Sequence, residues 1–357
     1  MPRNDTATRH TPGDDRGLRL DLAAVATYLE HQGLELDRAS SAVRLSGGLS
    51  NLNDLVTVDG RKMVLRRPPM GDLPPGAHDM AREHKILSRL SRAFPLAPDS
   101  YHLCEDISVI GVPFQLLEYR TGLVIRGDKL PTCFGGMETR HALCEHLVRA
   151  LAALHAVDAH EIGLGAFGRP EGFFLRNVAG WRERAGKVAC DQPVLDHVER
   201  IIAWLADNEP RSTAPTLLHS DFKLDNCMLE TDGRVSTLLD WDMGTRGDPL
   251  MDLATLISYW TEPGDPDCMH RLGQMPTAHP GFMCRADVLE TYARLTGRDV
   301  DQFQSWRILA MLKLGIVFMQ LYRNWVNGAI GDTSYDGFAQ LGADLIEHTL
   351  DLLEAPL

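Results

Sequence analysis

No apolar run in the 357-residue sequence is long enough to cross a bilayer: the longest, residues 308–322, spans 15 positions and carries Lys313 inside it, against the roughly 20 a spanning helix needs. It reads as a buried core helix. The first residues are polar and lack the apolar stretch of a signal peptide. Seven cysteines (Cys104, Cys133, Cys144, Cys190, Cys227, Cys268, Cys284) form no C-x-x-C pair. An odd number spread this widely argues against a disulfide framework, and a reducing, cytoplasmic compartment is the expectation. Cys268, His270 and Cys284 fit no zinc spacing. Runs of Lys or Arg are also missing, and 36 basic residues against 49 acidic ones leave a net charge of -13. Binding to duplex nucleic acid or an anionic membrane needs a basic face, so neither is expected as a partner. A small molecule is.

The charge is uneven. Residues 1–120 carry 15 basic and 16 acidic side chains, and residues 121–357 carry 21 and 33, a net of 21 − 33 = −12. The length suits two domains, and the hydrophobic fraction of 44% is that of an ordinary globular protein. No internal repeat or low-complexity segment is visible. The pattern divides accordingly. Residues 1–17 read as a flexible tail, and 18–120 as a small lobe with a helix over 21–33, strands over 43–45, 53–58 and 62–66, an amphipathic helix over 79–90 and two more strands near 101–105 and 113–119. From 121 to 357 helices dominate (140–157, 194–207, 288–295, 304–325, 338–353), interrupted by short strands at 216–219, 228–229 and 236–239. The fold class is α+β.

The chemistry concentrates in His219-Ser220-Asp221-Phe222-Lys223-Leu224-Asp225-Asn226, followed by an apolar strand and Asp240-Trp241-Asp242. Phosphoryl transfer from ATP asks little covalent chemistry of a protein; it needs a group that orients the acceptor hydroxyl and hard oxygen ligands for Mg²⁺. H-x-D-x-x-x-x-N supplies both. Asp221 is the candidate base, Asn226 and Asp240 the candidate metal ligands with Asp242 as a possible second-ion ligand, and Lys223 a cation for the developing phosphoryl charge. There is no G-x-x-x-x-G-K-[ST], which excludes a P-loop. Residues 163–168 satisfy G-x-G-x-x-G, but they follow a helix and lack a surrounding βαβ unit, so a dinucleotide fold is not expected.

This constellation resembles the aminoglycoside phosphotransferase family of protein-kinase-like small-molecule kinases, over roughly residues 40–330. The resemblance implies a bilobal kinase-like fold with a small antiparallel-sheet lobe and a larger helical lobe, and ATP and Mg²⁺ as cofactors. By the same resemblance, residues 46–51 are a nucleotide loop in which Gly47, Gly48, Ser50 and Asn51 approach the phosphates. Arg66 stands where kinases keep a phosphate-contacting lysine, and Glu83 is its partner. Glu118 and Arg120 fall in the segment that meets adenine. His219 anchors loop backbone, and in the Gly247-Asp248-Pro249-Leu250-Met251-Asp252-Leu253 segment Asp248 braces the catalytic loop, with Asp252 in support. Trp260, Tyr322, Arg323 and Trp325 are candidate acceptor contacts. Residues 64–69, 77–80 and 163–173 resemble the branch fused to acyl-CoA dehydrogenases and its stand-alone bacterial relatives, which implies a hydroxyacyl-CoA acceptor, for example a 4-hydroxyacyl-CoA. An aminoglycoside kinase is the alternative within the family, and a nucleotide-binding regulatory module of the pseudokinase type is the alternative outside catalysis. A protein kinase fits less well, because no A-P-E segment follows Asp242.

Overall fold

The computed structural model describes residues 20–39, 41–45, 51–69, 78–189, 191–328 and 335–355. The tail read at 1–17 and the loop positions Gly47, Gly48 and Ser50 lie outside them. The chain divides into two compact units. The first comprises the described residues up to Ser88 together with Asp99–Tyr119, and the second comprises Arg89–Pro98 and the chain from Arg120 onward. Residues 89–98 thus belong with the helical unit, although they lie within the sequence span assigned to the small lobe.

The first unit is a five-stranded antiparallel sheet in the order β1-β2-β3-β5-β4, with β1 Val43–Arg44, β2 Leu52–Val58, β3 Arg61–Arg67, β4 Ser100–Cys104 and β5 Phe114–Glu118. Two-residue periodicity builds it: Val56 and Val58 of β2 and Met63 and Leu65 of β3 turn to one side. There they meet Val25, Ala26 and Leu29 of α1 (Leu22–His31), with Phe114 and Leu116 of β5. Asp21 caps α1 by accepting the Ala24 N–H. Asp79 does the same for α2 (Met80–Leu90) through the Arg82 N–H.

The second unit holds α3 (Met137–His155), α4 (Phe173–Val188), α5 (Gln192–Asp207), α6 (Leu250–Ser258), α7 (Asp267–Leu272), α8 (Arg285–Thr296), α9 (Phe303–Val326) and α10 (Phe338–Asp351). Two short antiparallel pairs run through it: β6 (Thr216–Leu218) with β9 (Thr245–Gly247), and β7 (Cys227–Leu229) with β8 (Val235–Leu238). Helix α9 is buried on every side from Ser305 to Ile316, which makes it the axis of the unit. α10 crosses it at two glycines. A Cβ on Gly342 would stand 2.7 Å from the Gly315 carbonyl oxygen, so only glycine permits that approach. No helix among the described residues is long and apolar enough to cross a membrane.

The G-x-G-x-x-G stretch forms turns after α3. At Gly168, φ is +72°, and a Cβ would stand 2.9 Å from the Arg246 nitrogen on β9. Gly168 thus serves close packing between a loop and a strand, and a Cβ on Gly165 would collide with the His160 ring.

Candidate active site

The catalytic loop leaves β6 at His219 and enters β7 through a 3₁₀ turn at Leu224–Asn226. His219 is fully buried. Its Nε2 donates to the Leu239 carbonyl at 2.7 Å, which leaves Nδ1 to accept the Asp221 N–H at 3.3 Å. The ring lies edge-on to Trp241, with centroids 4.7 Å apart. His219 therefore holds backbone and is not free to move protons.

Asn226 Nδ2 donates to both the Asp221 carbonyl, at 2.8 Å, and Asp221 Oδ2, at 3.0 Å. That Oδ2 also takes the Lys223 ammonium at 3.2 Å. Lys223 reaches Asp225 at 3.8 Å and sits 5.0 Å from the Tyr259 ring centre. Burial works against its charge, but Tyr259, Asp221 and Asp225 outweigh it and hold the amine well above its usual range, so Lys223 stays an ammonium. Asp225 is also raised, which for a carboxyl favours the neutral form. Burial raises its carboxyl, Lys223 and Arg126 draw it down, and Asp221 and Asp240 raise it further. Asp225, Arg126 and Tyr259 thus join the site alongside the motif residues.

Two non-glycine residues here adopt left-handed backbone, Ser220 at φ +70° and Asp240 at φ +68°. Such conformations persist only where the surroundings over-determine them, and they cluster at functional sites. At Ser220 the cause is visible. The buried Asp252 carboxylate accepts the His219 N–H and the Ser220 N–H, each at 2.7 Å. Burial opposes its charge, yet His155 and His219 keep it below the ordinary carboxylate range. His155 Nε2 stands 3.4 Å from Asp252 Oδ2, and its Nδ1 is 2.7 Å from the Tyr292 hydroxyl.

The brace on the catalytic loop is therefore Asp252, and the role read for Asp248 is corrected. Asp248 caps the start of α6 through the Leu250 N–H at 2.9 Å and holds the Thr213 hydroxyl at 2.6 Å. The Arg120 guanidinium donates to the carbonyls of Pro95, Ala97 and Ser236 and so braces backbone. Trp260 is a core residue, fully buried with its indole N–H on the Met283 carbonyl at 3.0 Å. Tyr322, Arg323 and Trp325 sit in the last turns of α9, with the Tyr322 and Trp325 rings 5.8 Å apart.

In the first unit, β3 and α2 bring Arg66 and Glu83 together, with Nε 2.8 Å from Oε2 and both side chains largely buried. Gln115 of β5 also donates to Glu83. Asn51 is buried with its amide oxygen 2.8 Å from His78 Nδ1. The Glu118 carboxylate accepts the Asp99 N–H at 3.1 Å. Among the described residues no group of three or more His, Cys, Asp or Glu stands ready for a metal. A divalent site here would draw on an amide oxygen as well as carboxylates. Asn226 suits this, since its amide nitrogen is spent on Asp221 and its oxygen is the end left over.

These features define a phosphotransferase of kinase-like fold. The profile described as the phosphotransferase enzyme family (APH) matches residues 41–285, and the chain belongs to that family, whose members transfer phosphoryl groups to hydroxyl acceptors. It is 34% identical over 308 residues to acyl-CoA dehydrogenase family member 10 of Mus musculus, covering 85% of this chain and 28% of that protein. It is 30% identical over 329 residues to acyl-CoA dehydrogenase family member 11 of Gallus gallus, covering 88% and 40%. The chain thus spans less than half the length of these curated relatives. A Ralstonia eutropha protein assigned to the aminoglycoside phosphotransferases shares the fold with a TM-score of 0.76 at 24% identity, over 94% of this chain and 99% of that one. A thermostable mutant of aminoglycoside phosphotransferase APH(4)-Ia, in a ternary complex with AMP-PNP and hygromycin B, does so at 0.59 and 18%, over 93% and 100%.

Proposed function

We propose that this protein transfers the γ-phosphoryl group of ATP, with Mg²⁺, to the hydroxyl of a hydroxyacyl-CoA such as a 4-hydroxyacyl-CoA, in the cytoplasm. The observation that carries the chemistry is the fixing of Asp221. Lys223 and Asn226 both engage Oδ2, which leaves Oδ1 to orient the acceptor hydroxyl and take its proton. The bond from the γ-phosphorus to the bridging oxygen breaks, a bond to the acceptor oxygen forms, and ADP leaves. Asn226 and Asp240, with Asp242 beside them, are the residues that would hold Mg²⁺, which when bound neutralises charge on the phosphates. Lys223 keeps its positive charge next to the reacting group. Arg66, steadied by Glu83, offers a guanidinium to phosphate oxygens, and the segment containing Gly47, Gly48, Ser50 and Asn51 offers backbone N–H groups.

The acyl-CoA acceptor is supported by the relatives, whose names place the matching segment in one chain with an acyl-CoA dehydrogenase. Phosphorylating a hydroxyl on an acyl chain makes it a leaving group for elimination. The rival acceptor is an aminoglycoside, which the net −12 of residues 121–357 would attract.

The test is ADP release by the full chain with Mg-ATP, across a panel of 2-, 3- and 4-hydroxyacyl-CoAs and kanamycin-like aminoglycosides. Turnover on a hydroxyacyl-CoA is expected. Turnover confined to aminoglycosides would overturn the acceptor and keep the kinase, and tight ATP binding without turnover of any acceptor would point to a regulatory module.

A further inference from the structure

Lys313 has no part in the chemistry so far, yet it is the one charge inside the 15-residue apolar run. It lies where α9 is buried on every side and is itself only 8% exposed. An ammonium in such a place is costly unless partnered. Its Nζ donates to the Ser220 carbonyl at 2.7 Å. On the other side of the same residue, the Ser220 N–H donates to Asp252 Oδ1 at 2.7 Å. A buried base and a buried acid therefore grip the two backbone polar groups of one residue. Burial, with Lys223 and Arg184, draws the Lys313 amine below its usual range, and Asp221 and Asp252 offset this only in part, but the amine donates to the Ser220 carbonyl with or without its charge.

The gripped residue is the left-handed Ser220, and the next residue is Asp221. Turning Ser220 back toward an ordinary backbone conformation would re-aim the Asp221 side chain. We infer that Lys313 is a positioning residue for Asp221: together with Asp252 it clamps Ser220 in the left-handed conformation that sets the direction of the Asp221 carboxylate. The inference rests on Asp221 being the group that orients the acceptor hydroxyl. Lys313 acts through the backbone and touches no reacting atom. A methionine in its place fills similar volume but offers the Ser220 carbonyl no donor. A glycine at 220 adopts φ near +70° without any clamp, and this separates aiming from packing.

The experiment compares the full chain with Lys313→Met, Lys313→Met/Ser220→Gly and Asp221→Ala. Hydrogen exchange of the 217–227 peptide is read by mass spectrometry, and kcat and the KM for ATP are measured with a 4-hydroxyacyl-CoA as acceptor. Lys313→Met should raise exchange in that peptide about tenfold, with the peptides of α9 and α10 unchanged. It should lower kcat about 10²-fold at a KM within about twofold of wild type, the cost of misplacing a catalytic group. Adding Ser220→Gly should restore most of the kcat. Unchanged exchange in 217–227, or a rise spread over α9 and α10 that Ser220→Gly does not relieve, would reduce Lys313 to a packing residue. If Asp221→Ala retains turnover, the base assignment fails whatever the exchange shows; if it abolishes turnover while Lys313→Met changes neither kcat nor exchange, the clamp alone fails.

Discussion

The Asp252 carboxylate accepts the His219 backbone N–H at 2.7 Å and ties the first turn of α6 to the start of the catalytic loop. Because Asp252 is wholly buried, that bond and its twin to Ser220 are charge-assisted and shielded from water. Asp252→Asn removes the charge and places an NH₂ against at least one backbone N–H. The expected loss is about 3–5 kcal/mol, the usual cost of breaking a buried charge's partnership, read by urea denaturation at pH 7. The pH dependence follows from the depressed Asp252 carboxyl. A depressed group gives stability that is present above its unfolded value of about 4 and is lost as pH falls through the folded value. The gap between wild type and Asp252→Asn should therefore be widest near neutrality and shrink below about pH 4. A gap that stays constant down to pH 2 would contradict this.

Arg66 and Glu83 form the other buried pair. Glu83 is 1% exposed at its side chain and holds Arg66 at 2.8 Å. Arg66→Ala leaves that buried carboxylate without its counter-charge, with Gln115 as a remaining donor, and should cost about 3 kcal/mol, with a rise in the KM for ATP. Arg66→Lys keeps a charge but replaces a planar fork with a point, so it should recover stability only in part. Full recovery by lysine, in both unfolding and KM, would mean that guanidinium geometry is irrelevant here.

Three of the helices read from sequence have a marked start: Asp21 for α1, Asp79 for α2, and Asp191, whose carboxylate takes the Val194 N–H, for α5; α3, α9 and α10 lack a side-chain cap and are legible from apolar spacing and length. α4 is hidden. Its buried stripe is Phe174, Val178, Trp181, Ala185 and Val188, one residue per turn, with Asn, Gly, Arg and Glu between, and no side chain caps its start. The motif states which residues belong together at Asp221 and Asn226, because the loop joining them is local. Asp248 and Asp252 are different. Four residues apart on one segment, they point to different partners, and only the path of the chain at Thr213 and His219 decides which one reaches the loop. Nothing in the sequence shows that the Arg120 guanidinium closes on three carbonyls distant from it in the chain. Lys313 did carry a signal: a lone charge inside an apolar run must have a partner, although nothing in the sequence says which.

Asp225 gives a prediction of opposite sign. Burial and neighbouring carboxylates raise its carboxyl, and its Oδ1 is buried without a hydrogen-bond donor. A raised carboxyl means that the folded chain holds the proton more tightly than the unfolded one. Its contribution to stability is thus full below about pH 4 and is lost as pH rises through the folded value. Asp225→Asn, neutral at every pH, should be at least as stable as wild type at pH 7 and should lose that advantage at pH 4. Denaturation midpoints at the two pH values decide it, and a variant clearly less stable at pH 7 would show that the Lys223 contact outweighs burial.

Asp221→Ala tests the centre of the site. The alanine deletes the group that orients the acceptor hydroxyl and one partner each of Lys223 and Asn226, but it leaves Arg66, Glu83 and Asp240 in place. Turnover should fall by about 10³-fold or more, while the Kd for ATP, measured by calorimetry, changes little. Asp221→Asn is the sharper version. It keeps the shape and can still accept from Asn226, yet it cannot take a proton, so a kcat as low as that of alanine assigns the loss to the missing carboxylate. Recovery of near-wild-type kcat by asparagine would instead mean that orientation alone suffices and that the hydroxyl proton leaves by another route.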